Sequence, residues 1–277
     1  MSSLDALISP TLKHLREEWW DDEFTQFLIG TLRPRPGNRI LDVGCGAGEA
    51  QVRLGHRHVS QVQLFGVDLR FAEVAAARKN VAAHNVDAHF AAGDARRLPF
   101  ADRSFDSTYC VAVLQHFTDV EGAVAEFARV TRRSGRIIAV EPDNTARYSY
   151  SSVPSGTAAF ALASAFFDAA ATTAGAATEV AIGPRLPSLF AAHGIDPVMV
   201  RLFPVSRSRL GPPPSDVWDA RRAALERALI GAGDEVRALG ERYRVALEAY
   251  ERDSRTATGV FVEIQHTMLF ATVGQAR

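Results

Sequence analysis

The run Ile40-Leu41-Asp42-Val43-Gly44-Cys45-Gly46-Ala47-Gly48-Glu49 restricts what this chain can fold into more than any other stretch. Its apolar opening predicts a buried strand, its three alternating glycines a tight turn, and the residues beyond them a helix. Glycine is needed where the backbone takes a positive φ or passes close to a ligand. Amides exposed at the following helix N-terminus would then face that ligand. The same alternation continues downstream. Strands are expected at Arg39 to Val43, Gln63 to Asp68, Ala88 to Ala92, Phe105 to Val111 and Gly135 to Glu141. Helical stretches near 47–57, 71–84 and 119–132 lie between them. Short apolar runs separated by amphipathic helices are the pattern of a parallel sheet covered on both faces.

Two aspartates follow the glycine loop at telling positions. Asp68 ends the second strand, twenty residues beyond Gly48, where a carboxylate can accept both hydroxyls of a ribose. Asp94 follows the third strand, in Ala92-Gly93-Asp94-Ala95, where it can meet an adenine amino group. Either aspartate alone is more often a strand end or a helix cap. Together with the loop they mark the carboxyl edge of the sheet, where open α/β sheets bind their ligands.

This arrangement resembles the class I S-adenosylmethionine-dependent methyltransferases from about Gly37 to Asp143. The likeness rests on LDVGCGAG, on GVDL at 66–69 and on AAGDARRLPFADRSFD at 91–106. It continues in CVAVLQHF at 110–117 and EFARVTRRSGRIIAVEP at 126–142. The LPFADRSFD segment is similar to the small-molecule branch that includes quinone and sterol C-methyltransferases. The resemblance implies a Rossmann-like αβα sandwich with a seven-stranded, mostly parallel sheet and helical inserts. It also implies S-adenosylmethionine as cofactor. The loop of Gly44, Cys45, Gly46 and Gly48 would wrap the methionine part, ordered by Asp42. Asp68 with Leu69 would hold the ribose, Asp94 with Ala95 would face the adenine, and Val111 would line the methionine side. Nicotinamide dehydrogenases instead carry GxGxxG, whereas the spacing here is GxGxG with Asp42 two positions before the first glycine.

Composition narrows the remaining classes. Thirty-one basic and 32 acidic residues leave a net charge of −1, so no strong field favours nucleic acid. Two cysteines, Cys45 and Cys110, have no ligand-like spacing, which fits a reducing cytosol and argues against a zinc site. The N-terminus lacks a basic head followed by an apolar block. The most apolar stretch, Ala158 to Ala171, is interrupted by Ser164 and Asp168 and is too short to span a bilayer. A cytoplasmic location follows as an expectation, with no metal and no membrane span. Homo-oligomerisation is left open.

The methyl acceptor is less legible, because an in-line displacement from a sulfonium needs alignment more than a shared catalytic residue. The place after the fourth strand reads Val113-Leu114-Gln115-His116, not the Asn/Asp-Pro-Pro-aromatic tetrad of DNA and glutamine methyltransferases. A small, partly apolar organic acceptor is therefore expected. His116 is the candidate base and Gln115 a candidate acceptor contact. Glu141 and Asp143 end the fifth strand, more in keeping with a turn at Pro142 than with proton transfer. Tyr148 and Tyr150 are candidate walls for the acceptor, while Arg16, Trp19 and Trp20 could close over the cofactor. The alternative reading is a protein that binds S-adenosylmethionine without turnover, as an interaction or regulatory module.

One elaborated domain accounts for 277 residues. It comprises an N-terminal helical segment (1–36), a cofactor core (37–143), helical inserts at 144–183 and 206–258, and final strands within 184–205 and 259–277. The strands are expected at Pro197 to Phe203 and Phe261 to Val273, with a helix at Leu186 to His193. In the inserts, Phe160, Ala163, Phe167 and Ala170 form one helical stripe. Val217, Trp218, Leu225 and Leu229 form a second, and Val236, Leu239, Tyr243, Leu247 and Tyr250 a third. These inserts are expected to form an acceptor-selecting lid.

Overall fold

The structure, a computed structural model, describes residues 20–56, 61–117, 119–173 and 182–277. Arg16 and Trp19 lie outside the described residues, as does the expected N-terminal helical segment before Trp20. Helix α1 (Asp22–Leu32) opens where the Asp21 carboxylate accepts the Phe24 N–H at 2.7 Å. It ends as Arg33 turns left-handed just before Pro34. Then come β1 (Arg39–Val43), α2 (Glu49–His56), β2 (Gln63–Asp68), α3 (Phe71–Ala83), β3 (Ala88–Ala92) and β4 (Phe105–Val111). A short 3₁₀ turn (Leu114–His116), α4 (Val120–Val130) and β5 (Thr131–Ser151) follow. The remainder is α5 (Pro154–Thr173), α6 (Ile182–Ala192), β6 (Ile195–Leu210), α7 (Ser215–Leu229), α8 (Asp234–Thr256) and β7 (Val262–Ala276).

The strands form one seven-stranded sheet in the order β3-β2-β1-β4-β5-β7-β6. From β3 to β5 the neighbouring strands pair in parallel, with Asp42 opposite both Gly66 and Tyr109. The chain moves outward one way from β1 to β3 and then resumes on β1's other side with β4. That reversal opens a crevice at the carboxyl ends of β1 and β4.

Two compact units divide the chain. Among the described residues, a sheet unit takes those within 20–145, 182–203 and 268–277, and a helical unit takes 146–173 and 204–267. The sheet unit has a cluster on each face. On one, Leu41, Val43, Val67, Phe105 and Ile137 pack with Val124, Phe127, Leu186 and Phe190. On the other, Cys45 and Phe90 pack with Val74, Ala77 and Val81 of α3. In the helical unit, Trp218, Leu225, Val236, Tyr243, Leu247 and Tyr250 enclose Phe166 and Phe261. Gly156 lets α5 lie against Tyr250, since a Cβ there would meet that ring at 2.6 Å.

Three elements differ from the sequence expectation. Strand β5 begins at Thr131 and does not turn at Pro142, continuing to Ser151 through residues expected in the first insert. Strand β6 likewise extends through Arg207 and Arg209, where the second insert was expected to begin. Phe203 and Val205 are buried, Arg207 and Arg209 half-buried, and the residues between them exposed. That period of two is a strand signal which a Ser-Arg composition conceals. In α5 the buried stripe is Gly156, Ala159, Phe166 and Ala170, so Phe166 rather than Phe167 is the deepest aromatic.

Candidate active site

The site grows from the end of β1. Gly44, Gly46 and Gly48 all take positive φ, at 74°, 51° and 76°. Gly44 could not carry a side chain, because its Cβ would collide with Val113. At Gly48 a Cβ would press on the α3 backbone, 3.2 Å from the Ala77 Cα. The amides of Gly44 and Cys45 both donate to the Val67 carbonyl, at 2.7 and 3.0 Å, which seats the loop on β2.

Asp68 then ties the loop to the next strand end. Its carboxylate accepts the Gly46 N–H at 3.0 Å on one oxygen and the Arg70 N–H at 2.9 Å on the other. Beneath the loop, buried Asp42 accepts from the Gln51 side-chain amide of α2 at 2.9 Å. Burial pushes the Asp42 carboxyl up to about 7; Tyr109 and Gln51 oppose this, and the charge on Asp68 adds to it. Burial also raises the Cys45 thiol well above its ordinary range, so it stays protonated and serves as packing beside the loop.

Asp94 is held by a neighbouring arginine. Arg96 bonds its carboxylate through Nη2 at 2.6 Å and Nε at 3.1 Å, which lowers its pKa. Ala95 is buried beside it and Val111 is half-buried at the end of β4. The LPFADRSFD segment is fastened by a pair on α4. Glu126 accepts the Leu98 N–H at 2.7 Å, while Arg129 donates to the Phe100 carbonyl and the Asp102 carboxylate. Arg129 also bonds Glu126 itself, at 2.6 Å.

Beyond Val111 the backbone is strained, with Ala112 at a φ of 57°. The 3₁₀ turn carrying Gln115 and His116 hangs from Glu141. That carboxylate, fully buried, accepts the N–H groups of Val113 at 2.8 Å, Leu114 at 2.7 Å and Gln115 at 3.3 Å. The Cys110 thiol donates to it as well, at 3.7 Å. Burial nevertheless pushes Glu141 up to about 7. Neither a turn nor a proton acceptor, Glu141 is an internal anchor for the loop after β4. An acid directly after the apolar Ile137-Ile138-Ala139-Val140 run was the available signal, and Pro142 masked it.

The structure thus brings Asp42, the glycine loop, Asp68, Leu69, Asp94 and Ala95, Val111, Gln115 and His116 to the carboxyl ends of β1–β4. Tyr148 and Tyr150 instead lie exposed on β5 in the helical unit. Trp20 packs edge-on against Phe24, with centroids 5.1 Å apart, and Arg53 lies over its ring. Among the described residues, no group of three or more His, Cys, Asp or Glu could hold a metal, and no helix is long and apolar enough to cross a membrane.

Comparison with known proteins shows what the residues around this edge are similar to. The family described as "Methyltransferase domain" matches residues 41–139, from β1 into β5. Over residues 41–139 the chain is similar to methyltransferase domains. The chain is 33% identical over 146 residues to 27-O-demethylrifamycin SV methyltransferase of Amycolatopsis mediterranei, covering 48% of this chain and 52% of that one. It is 35% identical over 103 residues to demethylmenaquinone methyltransferase of Deinococcus radiodurans, covering 37% and 42%. The matched region thus spans about half the length of these relatives. In fold, the chain resembles a geranyl diphosphate methyltransferase solved in complex with SAM. The TM-score is 0.52 at 16% identity, over 100% of this chain and 96% of that one. The glycine loop also suits an adenosyl cofactor on its own geometry. Leu69 and Phe71, 66% and 70% exposed, offer apolar surface beside Asp68. Nothing lies nearer than 4.0 Å to a Cβ built on Gly46, so the loop is open there.

Proposed function

We propose that this chain transfers a methyl group from S-adenosylmethionine, by direct in-line displacement, to a small and partly apolar organic acceptor. One observation carries the reading: the Gly46 amide and the Asp68 carboxylate are locked together, at 3.0 Å, on the switch-point edge of the sheet. The bound cofactor supplies an electrophilic methyl group on a positively charged sulfur. Asp68 spends one lone pair of each oxygen on the backbone and keeps the others for a ribose diol. Asp42 orders the loop from below through Gln51, and Glu141 holds the turn that presents Gln115 and His116. His116 takes a proton only where the acceptor carries one at the reacting atom. Relatives named for a demethylrifamycin and a demethylmenaquinone support a small organic acceptor. Acceptor choice is assigned to the helical unit, whose residues 146–173 and 204–267 fall outside the matched 41–139.

Calorimetry tests the cofactor. S-adenosylmethionine should bind and NAD should not, and Asp68→Ala should weaken binding by about 2–4 kcal/mol through loss of charge-assisted bonds. Tight NAD binding without any S-adenosylmethionine heat would overturn the reading. Turnover of labelled cofactor with a metabolite extract separates an enzyme from a protein that only binds.

A further inference from the structure

The loop after β3 carries one more residue with a claim on the cofactor, Arg96. The backbone is seated first. The Gly93 N–H donates to the Asp68 carbonyl at 3.0 Å, which sets Asp94 beside the end of β2. A Cβ on Gly93 would meet Pro99 at 2.8 Å and Val67 at 3.0 Å, so the chain passes there with little slack. The Arg97 N–H then closes a turn on the Asp94 carbonyl at 2.9 Å.

Arg96 fixes the Asp94 side chain in turn. One carboxylate oxygen accepts the Arg96 backbone N–H at 2.9 Å and its Nε–H at 3.1 Å. The other accepts Nη2–H at 2.6 Å, with Nε 3.2 Å away. The guanidinium is braced over the Phe117 ring, 5.9 Å from its centroid, and Phe117 packs against the sheet core. A carboxylate offers about four lone-pair sites, and three N–H groups of Arg96 take three of them. One acceptor site remains, on the oxygen bound by Nη2. The Asp94 side chain is 29% exposed, so a ligand can reach it. The side-chain bonds from Arg96 lower the Asp94 pKa, which keeps that site an acceptor at neutral pH.

We propose that Arg96 is the positioning residue that aims this last acceptor at the exocyclic amine of the cofactor's purine, making the site selective for a 6-amino over a 6-oxo ring. An amine can donate to the remaining lone pair, whereas a ring carbonyl turns its own lone pairs towards the carboxylate and is repelled. Charge alone does not supply this, because only a planar fork holds both oxygens at once. The occupant is taken from the methyl-transfer reading, on which this assignment rests.

S-adenosylhomocysteine, the demethylated cofactor, and its deaminated 6-oxo counterpart are the probes, each titrated by calorimetry into the full-length protein. Unaltered protein should favour the 6-amino form by about tenfold or more, the worth of one charge-assisted bond. In Arg96→Met the preference should shrink to within about threefold, and Arg96→Lys, which keeps the charge without the fork, should not restore it. Both variants should keep the wild-type unfolding midpoint, since the ion pair is partly exposed. On unaltered protein the 6-amino form should also shift the Arg96 Nε–H resonance in ¹⁵N spectra more than the 6-oxo form does, a readout that needs no variant. A general loosening of the loop would weaken both forms alike and leave their ratio unchanged. An unchanged ratio in Arg96→Met, full recovery in Arg96→Lys, or no preference in unaltered protein would each overturn the assignment while leaving cofactor binding in place. Binding of neither form would overturn the methyl-transfer reading, and this assignment with it.

Discussion

Asp42 and Glu141 sit within one sheet, each fully buried and each raised to about 7, from ordinary values of 3.8 and 4.5. A carboxyl that is harder to ionise when folded holds a proton that the unfolded chain has already released. Its contribution is complete below the unfolded value and disappears as pH rises towards 7. Stability to urea should therefore fall between pH 5 and 7, by up to about 1.4 kcal/mol per pH unit for each group, then level off. Asp42→Asn should flatten that slope and leave the Glu141 share, since the amide oxygen can still accept from Gln51. A wild-type unfolding midpoint that does not move across this window would refute the assignment. His116 belongs to the same scale. With a protonated acceptor, His116→Ala should slow turnover by roughly 10²–10⁴-fold while cofactor affinity holds. Unaltered turnover from pH 6 to 9 would remove it from the chemistry.

Among the elements, α4 does more than cover the sheet. Its Arg129 fixes the Leu98–Asp102 segment through two backbone carbonyls and Asp102. Arg129→Met keeps the stem but loses those bonds, and should cost about 2–3 kcal/mol in urea unfolding. A loss below about 0.5 kcal/mol, the size of a surface pair, would show the clamp to be slack. This is also where legibility in the sequence divides. β1 to β4 were readable because apolar runs end in glycine or aspartate, which are local signals. The candidate site at the ends of β1 and β2 was readable for the same reason, since Gly44 and Asp68 each announce a strand end. Arg129 reaching Phe100 and Glu141 reaching Leu114 are contacts across 29 and 27 positions, and nothing local marks them. The continuation of β5 and β6 was hidden because Arg147, Arg207 and Arg209 read as loop by composition. The Phe166 stripe was missed by one position because an alanine-rich helix gives nearly equal apolar faces.

For the whole molecule, the division into a sheet unit and a helical unit separates two measurements. Replacing residues 155–178 by a short glycine-serine linker removes α5 and with it the partners of Tyr243 and Tyr250. Cofactor binding, proposed here for the sheet unit, should survive, whereas acceptor turnover should collapse. Normal turnover with the native acceptor would show that the first insert does not select it. The strand order carries a further consequence, for the time course of biosynthesis. β7 lies between β5 and β6, so β6 has no neighbour to bond until residues 262–276 have been made. While the intervening helices are being translated, Val198, Met199, Val200 and Leu202 belong to a ribbon with neither edge paired. Such a segment invites pairing with another nascent chain. The sheet is thus completed from its interior by one of its latest strands, and the interval before β7 emerges is when this protein is most exposed to misassembly.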